Sequence, residues 1–156
     1  MKKVFRLFKY FAPVVFICYM LPSCSRSVIS ITITGGEVGS GKLYLKDSIG
    51  NAADTIKVNP EQIIKWKIGK GANLTITELF EKSGSDNVFS KRARKKFLSK
   101  TWKAKVENLE SLKERLRGKE IKDGEHEYFI EDYFIKWKDK KTGTEPTYDP
   151  RIQVKS

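Results

Sequence analysis

Thr55-Ile56-Lys57-Val58-Asn59-Pro60-Glu61-Gln62-Ile63-Ile64-Lys65-Trp66-Lys67-Ile68 is the stretch on which the fold turns. Ile56 and Val58 alternate with polar neighbours, the period-2 pattern of a strand buried on one face. Asn59 and Pro60 then turn the chain, because proline brings no N–H to a ladder and holds the residue before it out of the helical region. From Ile63 the alternation resumes, with Ile64, Trp66 and Ile68 on one side and Ile63, Lys65 and Lys67 on the other. A tryptophan on the apolar side of such a strand has the size to plug a core between two sheets.

Working outward, the same grammar repeats. On the N-terminal side Val28 to Thr34 alternates and is rich in β-branched residues, Gly35 and Gly36 end it, and Lys42 to Lys46 alternates again before a turn at Gly50 and Asn51. This half is expected to be a β meander. On the C-terminal side Asn73 to Leu79 reads as a strand and Phe80 to Val88 as a polar loop. Ser90 to Lys105 is open between helix and strand: Leu98, Trp102 and Val106 fall at helical spacing, yet Trp102, Ala104 and Val106 alternate, and a strand over Thr101 to Val106 is preferred. Glu107 to Arg117 reads as a helix through Leu109, Leu112 and Leu116, with Gly118 as its stop.

Glu127 to Lys138 returns to strand, first through Tyr128 and Ile130 and then through Tyr133, Ile135 and Trp137. The phase slips at Glu131 and Asp132, which predicts a bulge or a break there. A loop around Gly143 and a last strand over Asp149 to Val154 complete the chain. Short strands with turn signals about every ten residues predict a mainly β chain, an antiparallel Greek-key β-sandwich with a short helical insertion near 107–117.

The strand, proline turn and tryptophan-bearing strand of Thr55 to Trp66, together with the Tyr128 to Ile135 and Ile152 to Val154 segments, resemble the cupredoxin-like fold; an immunoglobulin-like sandwich is the related expectation. The resemblance raises the question of copper, and the inventory answers it. A blue-copper site takes two histidines and a cysteine thiolate, usually with an axial methionine. Beyond residue 24 the chain has one histidine, His126, no cysteine and no methionine. No cofactor is expected.

The first 24 residues read as an export signal. Lys2, Lys3, Arg6 and Lys9 precede an apolar run from Phe11 to Leu21, which has the length of a secretory h-region and is shorter than a membrane-spanning helix of about 20 residues. Leu21, Pro22, Ser23 and Cys24 resemble the lipobox of bacterial lipoproteins, in which a leucine lies three residues before the acylated cysteine; Pro22 departs from the commonest pattern. The resemblance implies removal of residues 1–23, lipidation of Cys24, a short tether over 24–27 and a single domain over 28–156 anchored to the membrane of the bacterial cell envelope. Ser25 resembles the class sorted to the outer membrane where the cell has two. Removing the four signal bases lowers the formal charge from +12 to +8, still clearly basic. No thiol then remains for a disulfide or a nucleophile, so the domain must be held by its core.

Charge supplies the main functional candidate. Lys91, Arg92, Arg94, Lys95, Lys96, Lys100, Lys103 and Lys105 crowd one stretch interleaved with Phe97 and Trp102. Such a field binds polyanions. In an exported chain the available ones are lipid headgroups, acidic glycans or an acidic protein partner rather than nucleic acid. The expectation is a non-enzymatic binding module, with an accessory subunit docking through Phe129, Tyr133, Phe134 and Trp137 as the alternative. An enzyme is not expected. Gly36 to Lys42 has phosphate-loop spacing, but Leu43 stands where a hydroxyl should hold magnesium, so the glycines predict a hairpin. The acid pairs Glu125 with Glu127 and Glu131 with Asp132 are the candidates for hydrolytic chemistry, and they carry no accompanying motif.

Overall fold

The computed structural model describes residues 27–95 and 100–156. Its strands are β1 (Val28–Gly36), β2 (Leu43–Lys46), β3 (Thr55–Val58), β4 (Ile63–Ile68), β5 (Leu74–Glu81), β6 (Phe89–Lys95), β7 (Thr101–Val106), β8 (Ile121–Asp123), β9 (His126–Asp139), β10 (Thr147–Tyr148) and β11 (Arg151–Lys155), with one helix, α1 (Leu109–Arg115). They form a β-sandwich of two sheets. The first has the order β2-β1-β4-β7-β6. The second is built on β9, whose first half pairs with β8 and β11 and whose second half pairs with β5 and β10, while β3 closes it beyond β11.

Alternation places the apolar side chains between the sheets. Ile31, Ile33, Leu43, Leu45, Ile64 and Trp66 come from the first sheet; Ile56, Val58, Phe129, Tyr133, Ile135, Trp137, Ile152 and Val154 come from the second. Trp66 is the plug its strand predicts. Its indole N–H donates to the Tyr133 hydroxyl at 3.0 Å across the sandwich, and its ring meets Tyr133 and Phe89 edge-on. α1 contributes Leu112 to the core and its C-cap residue Leu116 joins it there, and Asn108 caps the helix start by accepting the Ser111 N–H at 2.9 Å.

Pairing corrects the sequence reading in three places. The ladders are mostly antiparallel, but β1 pairs with β4 and β11 with β3 in parallel, so the N-terminal half is not a meander: β3 crosses to the second sheet and β4 returns to the first. Alternation tells which side of a strand is inward and nothing about which sheet receives it. Secondly, β9 runs without bulge or break through the apparent slip. Phe129, Glu131, Tyr133, Ile135 and Trp137 all point inward at strict period 2, and the slip is a glutamate occupying a core position. Finally, β5 reaches Glu81, and Phe89–Lys95 is a strand where the reading had stayed open.

The Gly36 to Lys42 segment is the β1–β2 hairpin, with the Glu37 N–H donating to the Lys42 carbonyl at 2.8 Å. Gly36 makes room for Trp137, whose indole N–H donates to the Gly41 carbonyl at 3.0 Å. A Cβ on Gly36 would stand 2.8 Å from the Trp137 ring and 3.0 Å from Leu43. Gly36→Ala is therefore expected to lower the unfolding free energy by about 1–3 kcal/mol through overpacking, read as an earlier urea midpoint at unchanged slope. A midpoint equal to wild type would show that Trp137 can retreat freely.

Candidate functional site

The outer face of the first sheet is set by the same alternation that fills the core. Ile64 and Trp66 point in, so Lys65 and Lys67 point out; Ala104 and Val106 point in, so Lys103 and Lys105 point out. Register then assembles three rows across the strands. Nearest the start of β1 lies Val28, Ile63, Lys105, Lys91; next comes Ser30, Lys65, Lys103, Arg94; the third is Lys46, Thr32, Lys67, Thr101. No acid occupies any of these positions.

Electrostatically the arrangement works against folding. Directly opposed cross-strand residues bring their Cβ atoms to about 5 Å, where like charges repel. Lys65 faces Lys103, Lys103 faces Arg94 and Lys105 faces Lys91. Among the described residues only Lys105 of these has a carboxylate in ion-pair range, Glu61 at 3.6 Å. The second sheet and its connections behave oppositely. Lys57 pairs with Asp123 at 2.7 Å, Lys82 with Asp149 at 2.6 Å and Arg151 with Asp132 at 2.7 Å, and Lys136 and Lys138 flank Glu145. The bases of the second sheet and its connections are largely paired, whereas those of the first sheet's outer face are, apart from Lys105, not.

The structure divides the basic cluster of the sequence. Lys91, Arg94, Lys103 and Lys105 share the outer face. Arg92 turns to the seam between β5 and β6, 4.0 Å from Glu81, where Glu78, Phe80 and Phe89 help to line a groove of about 300 Å³. Lys95 lies opposite Trp102 and, with the exposed Lys100, borders a small recess beside Ile68 and Leu74. Lys96 and Phe97 lie outside the described residues, as do Cys24 and the whole of 1–23. Lys46, Lys65 and Lys67 join the face without having been singled out. Their outward parity was legible, but strands β4 and β7 meet only in the fold.

The other candidates separate. Glu131 and Asp132 sit on opposite faces of β9, the first fully buried and the second ion-paired with Arg151, so they share no cleft. Glu125, His126 and Glu127 are exposed in and beside the β8–β9 turn, and among the described residues no group of three metal-ligating side chains converges. Phe129, Tyr133 and Trp137 are fully buried, which removes them as a docking patch; Phe134 alone of that set is outward, stacked at 5.2 Å on Phe80. The core requires the aromatics because β9 is the strand on which the second sheet is built.

Glu131 is the one fully buried carboxyl among the described residues. Its Oε2 accepts the Val88 N–H at 2.8 Å, and its Oε1 has no hydrogen-bond partner among the described residues. Burial pushes its carboxyl up to about 7, against the Val88 N–H, which favours the ionised form, and with the nearby Glu81 charge adding to the rise. It holds the residue that leads into β6, so its part is to set the edge of the cationic sheet. The chain matches no protein-family model and no curated protein.

Proposed function

We propose that this chain is a lipid-anchored protein of the bacterial cell envelope, held by acylated Cys24, whose sandwich is a non-enzymatic module binding an anionic partner through the outer face of the first sheet. The observation that carries the reading is the cross-strand row Lys65, Lys103, Arg94, three bases side by side with no carboxylate in ion-pair range among the described residues. Like-charge rows cost stability, and the other sheet pairs its charges. A surface kept cationic against that cost has its counter-charges elsewhere. Phosphate-bearing lipids, acidic glycans and acidic protein surfaces all supply them.

Lys103→Glu tests this without a folding confound. An acid between Lys65 and Arg94 turns two repulsions into two attractions, so the variant is expected to be as stable as wild type or up to about 1 kcal/mol more stable. Binding to a polyanion such as immobilised heparin is expected to weaken at least tenfold, and wild-type binding to fall steeply as salt rises. A variant that binds as tightly as wild type would remove the face from consideration. The anchor is checked in the same cells: Cys24→Ala should leave the membrane fraction or persist as uncleaved precursor, and a membrane-bound product of processed mass would contradict acylation.

A further inference from the structure

Resting on that reading, we infer that the anion met by the face is the phosphate headgroup layer of the very membrane that holds Cys24, so that the first sheet lies flat on its own bilayer. The argument starts from where the tether joins. Cys24 and Val28 are four residues apart, a reach of about 14 Å at most, and Val28 opens the row that continues through Ile63 and Lys105 to Lys91. The anchor therefore fixes one border of the cationic face at the membrane surface. Two poses satisfy that tether: β1 standing on end, or the sheet lying down about that border.

Charge and apolar exposure both select the second pose. Lying down brings Lys65, Lys103 and Arg94, the next row along the strands, to headgroup depth, where an anionic leaflet attracts each base. Standing on end leaves that row and the third progressively farther out, with the field of the lipid phosphates decaying over a Debye length of about 8 Å. The same face also shows Val28, 51% exposed, and Tyr44, 48% exposed and outward on β2 because Leu43 and Leu45 point in. An aromatic and an aliphatic side chain among lysines, on strand positions that hold no acid, match the headgroup layer, where amphipathic rings and basic side chains settle together. A lipid chain supplemented by a basic surface is also the two-signal combination that makes membrane attachment stable.

The opposite sheet also exposes apolar side chains, Ile121 on β8 and Phe80 stacked on Phe134, so charge is what separates the two faces. Its bases are largely paired within the chain, as Lys138 is with Glu145.

The experiment reads orientation on the lipidated full chain, purified from membranes and reconstituted into vesicles of phosphatidylcholine with or without one third phosphatidylglycerol. With Cys24 acylated and Cys18 removed with the signal, a single introduced cysteine carries a fluorophore uniquely. Thr34→Cys places it at the far end of β1, outward, about 20 Å along the strand from Val28. Lys138→Cys places it on the outer side of the second sheet. Headgroup-nitroxide lipid is the quencher.

The expected result is several-fold stronger quenching of the Thr34 label than of the Lys138 label on anionic vesicles. The contrast should collapse in about 0.5 M salt and in the Lys65→Glu/Lys103→Glu background. Equal, weak quenching of both labels on anionic vesicles would mean an upright domain and overturn the inference. If heparin binding sensitive to Lys103→Glu then remained, the cationic face would still be a binding site facing a glycan or protein away from its own membrane. Loss of both signals would overturn the inference and the binding reading together.

Discussion

Trp66→Ala is expected to lower the unfolding free energy by about 3–5 kcal/mol, a large share of the 5–15 kcal/mol available to a domain of this size. The side chain is fully buried between the sheets, so truncation opens a cavity bordered by Tyr133 and Phe89, each of which meets the indole edge-on. The hydrogen bond can be separated from the volume. Trp66→Phe keeps most of the packing but strips the Tyr133 hydroxyl of the donor 3.0 Å away, which should cost about 1–3 kcal/mol. Tyr133→Phe should cost a comparable amount by orphaning the indole N–H. The double variant should lose clearly less than the two single losses combined, because neither partner is then left unsatisfied. Chemical denaturation of the four proteins measures the cycle. A loss below about 1 kcal/mol for Trp66→Ala would show that the sheets are not held together there.

That prediction falls on the strand whose other side carries Lys65 and Lys67, so one element serves both core and face. β4 was legible residue by residue, because the turn at Asn59 and Pro60 and an unbroken alternation leave no other reading. Strand β3 was legible for the same reason; β7 was the preferred reading of Thr101 to Val106, although Leu98, Trp102 and Val106 also fall at helical spacing. β6 was not legible: its bases occupy both sides, Ala93 is its sole apolar residue after Phe89, and its ladder to β7 shifts register on either side of Lys91. An edge strand of this composition shows no periodicity to detect, although edge strands rich in lysine are a known defence against aggregation. The binding face was half legible. Lys91, Arg94, Lys103 and Lys105 stood out because they crowd one stretch, whereas Lys65 and Lys67 joined them through a pairing some 38 residues long in sequence, Lys65 to Lys103. The parallel neighbours of β1 and β11 were illegible on the same ground, since partner choice is decided by which faces can be buried together and not by either strand alone.

Glu131 is where the alternation seemed to fail, and it predicts an unusual pH dependence. A carboxyl raised from 4.5 to about 7 on folding binds more protons in the native state than in the unfolded one across that window. Stability must then fall as pH rises from 4.5 and level off above about 7, the reverse of acid denaturation. At about 1.4 kcal/mol per pH unit of displacement, the loss attributable to this residue is on the order of 3 kcal/mol. Carboxyls such as Asp123, held below the usual range by the Lys57 ammonium, and Asp139, held down by the Thr142 and Lys141 N–H groups, act with opposite sign. They change protonation at or below their ordinary value near 3.8, outside the window. Urea denaturation at intervals from pH 5 to 8 should therefore show a wild type weakening toward neutrality. Glu131→Gln keeps the shape and an oxygen for the Val88 N–H while removing the charge. Its stability should be nearly flat across the window and exceed wild type at pH 8, with the gap closing at pH 5. Parallel curves for the two proteins would mean that Glu131 titrates alike in the folded and unfolded chains. That result would require water or a cation at its second oxygen, and the core position on β9 would then be a hydrated one.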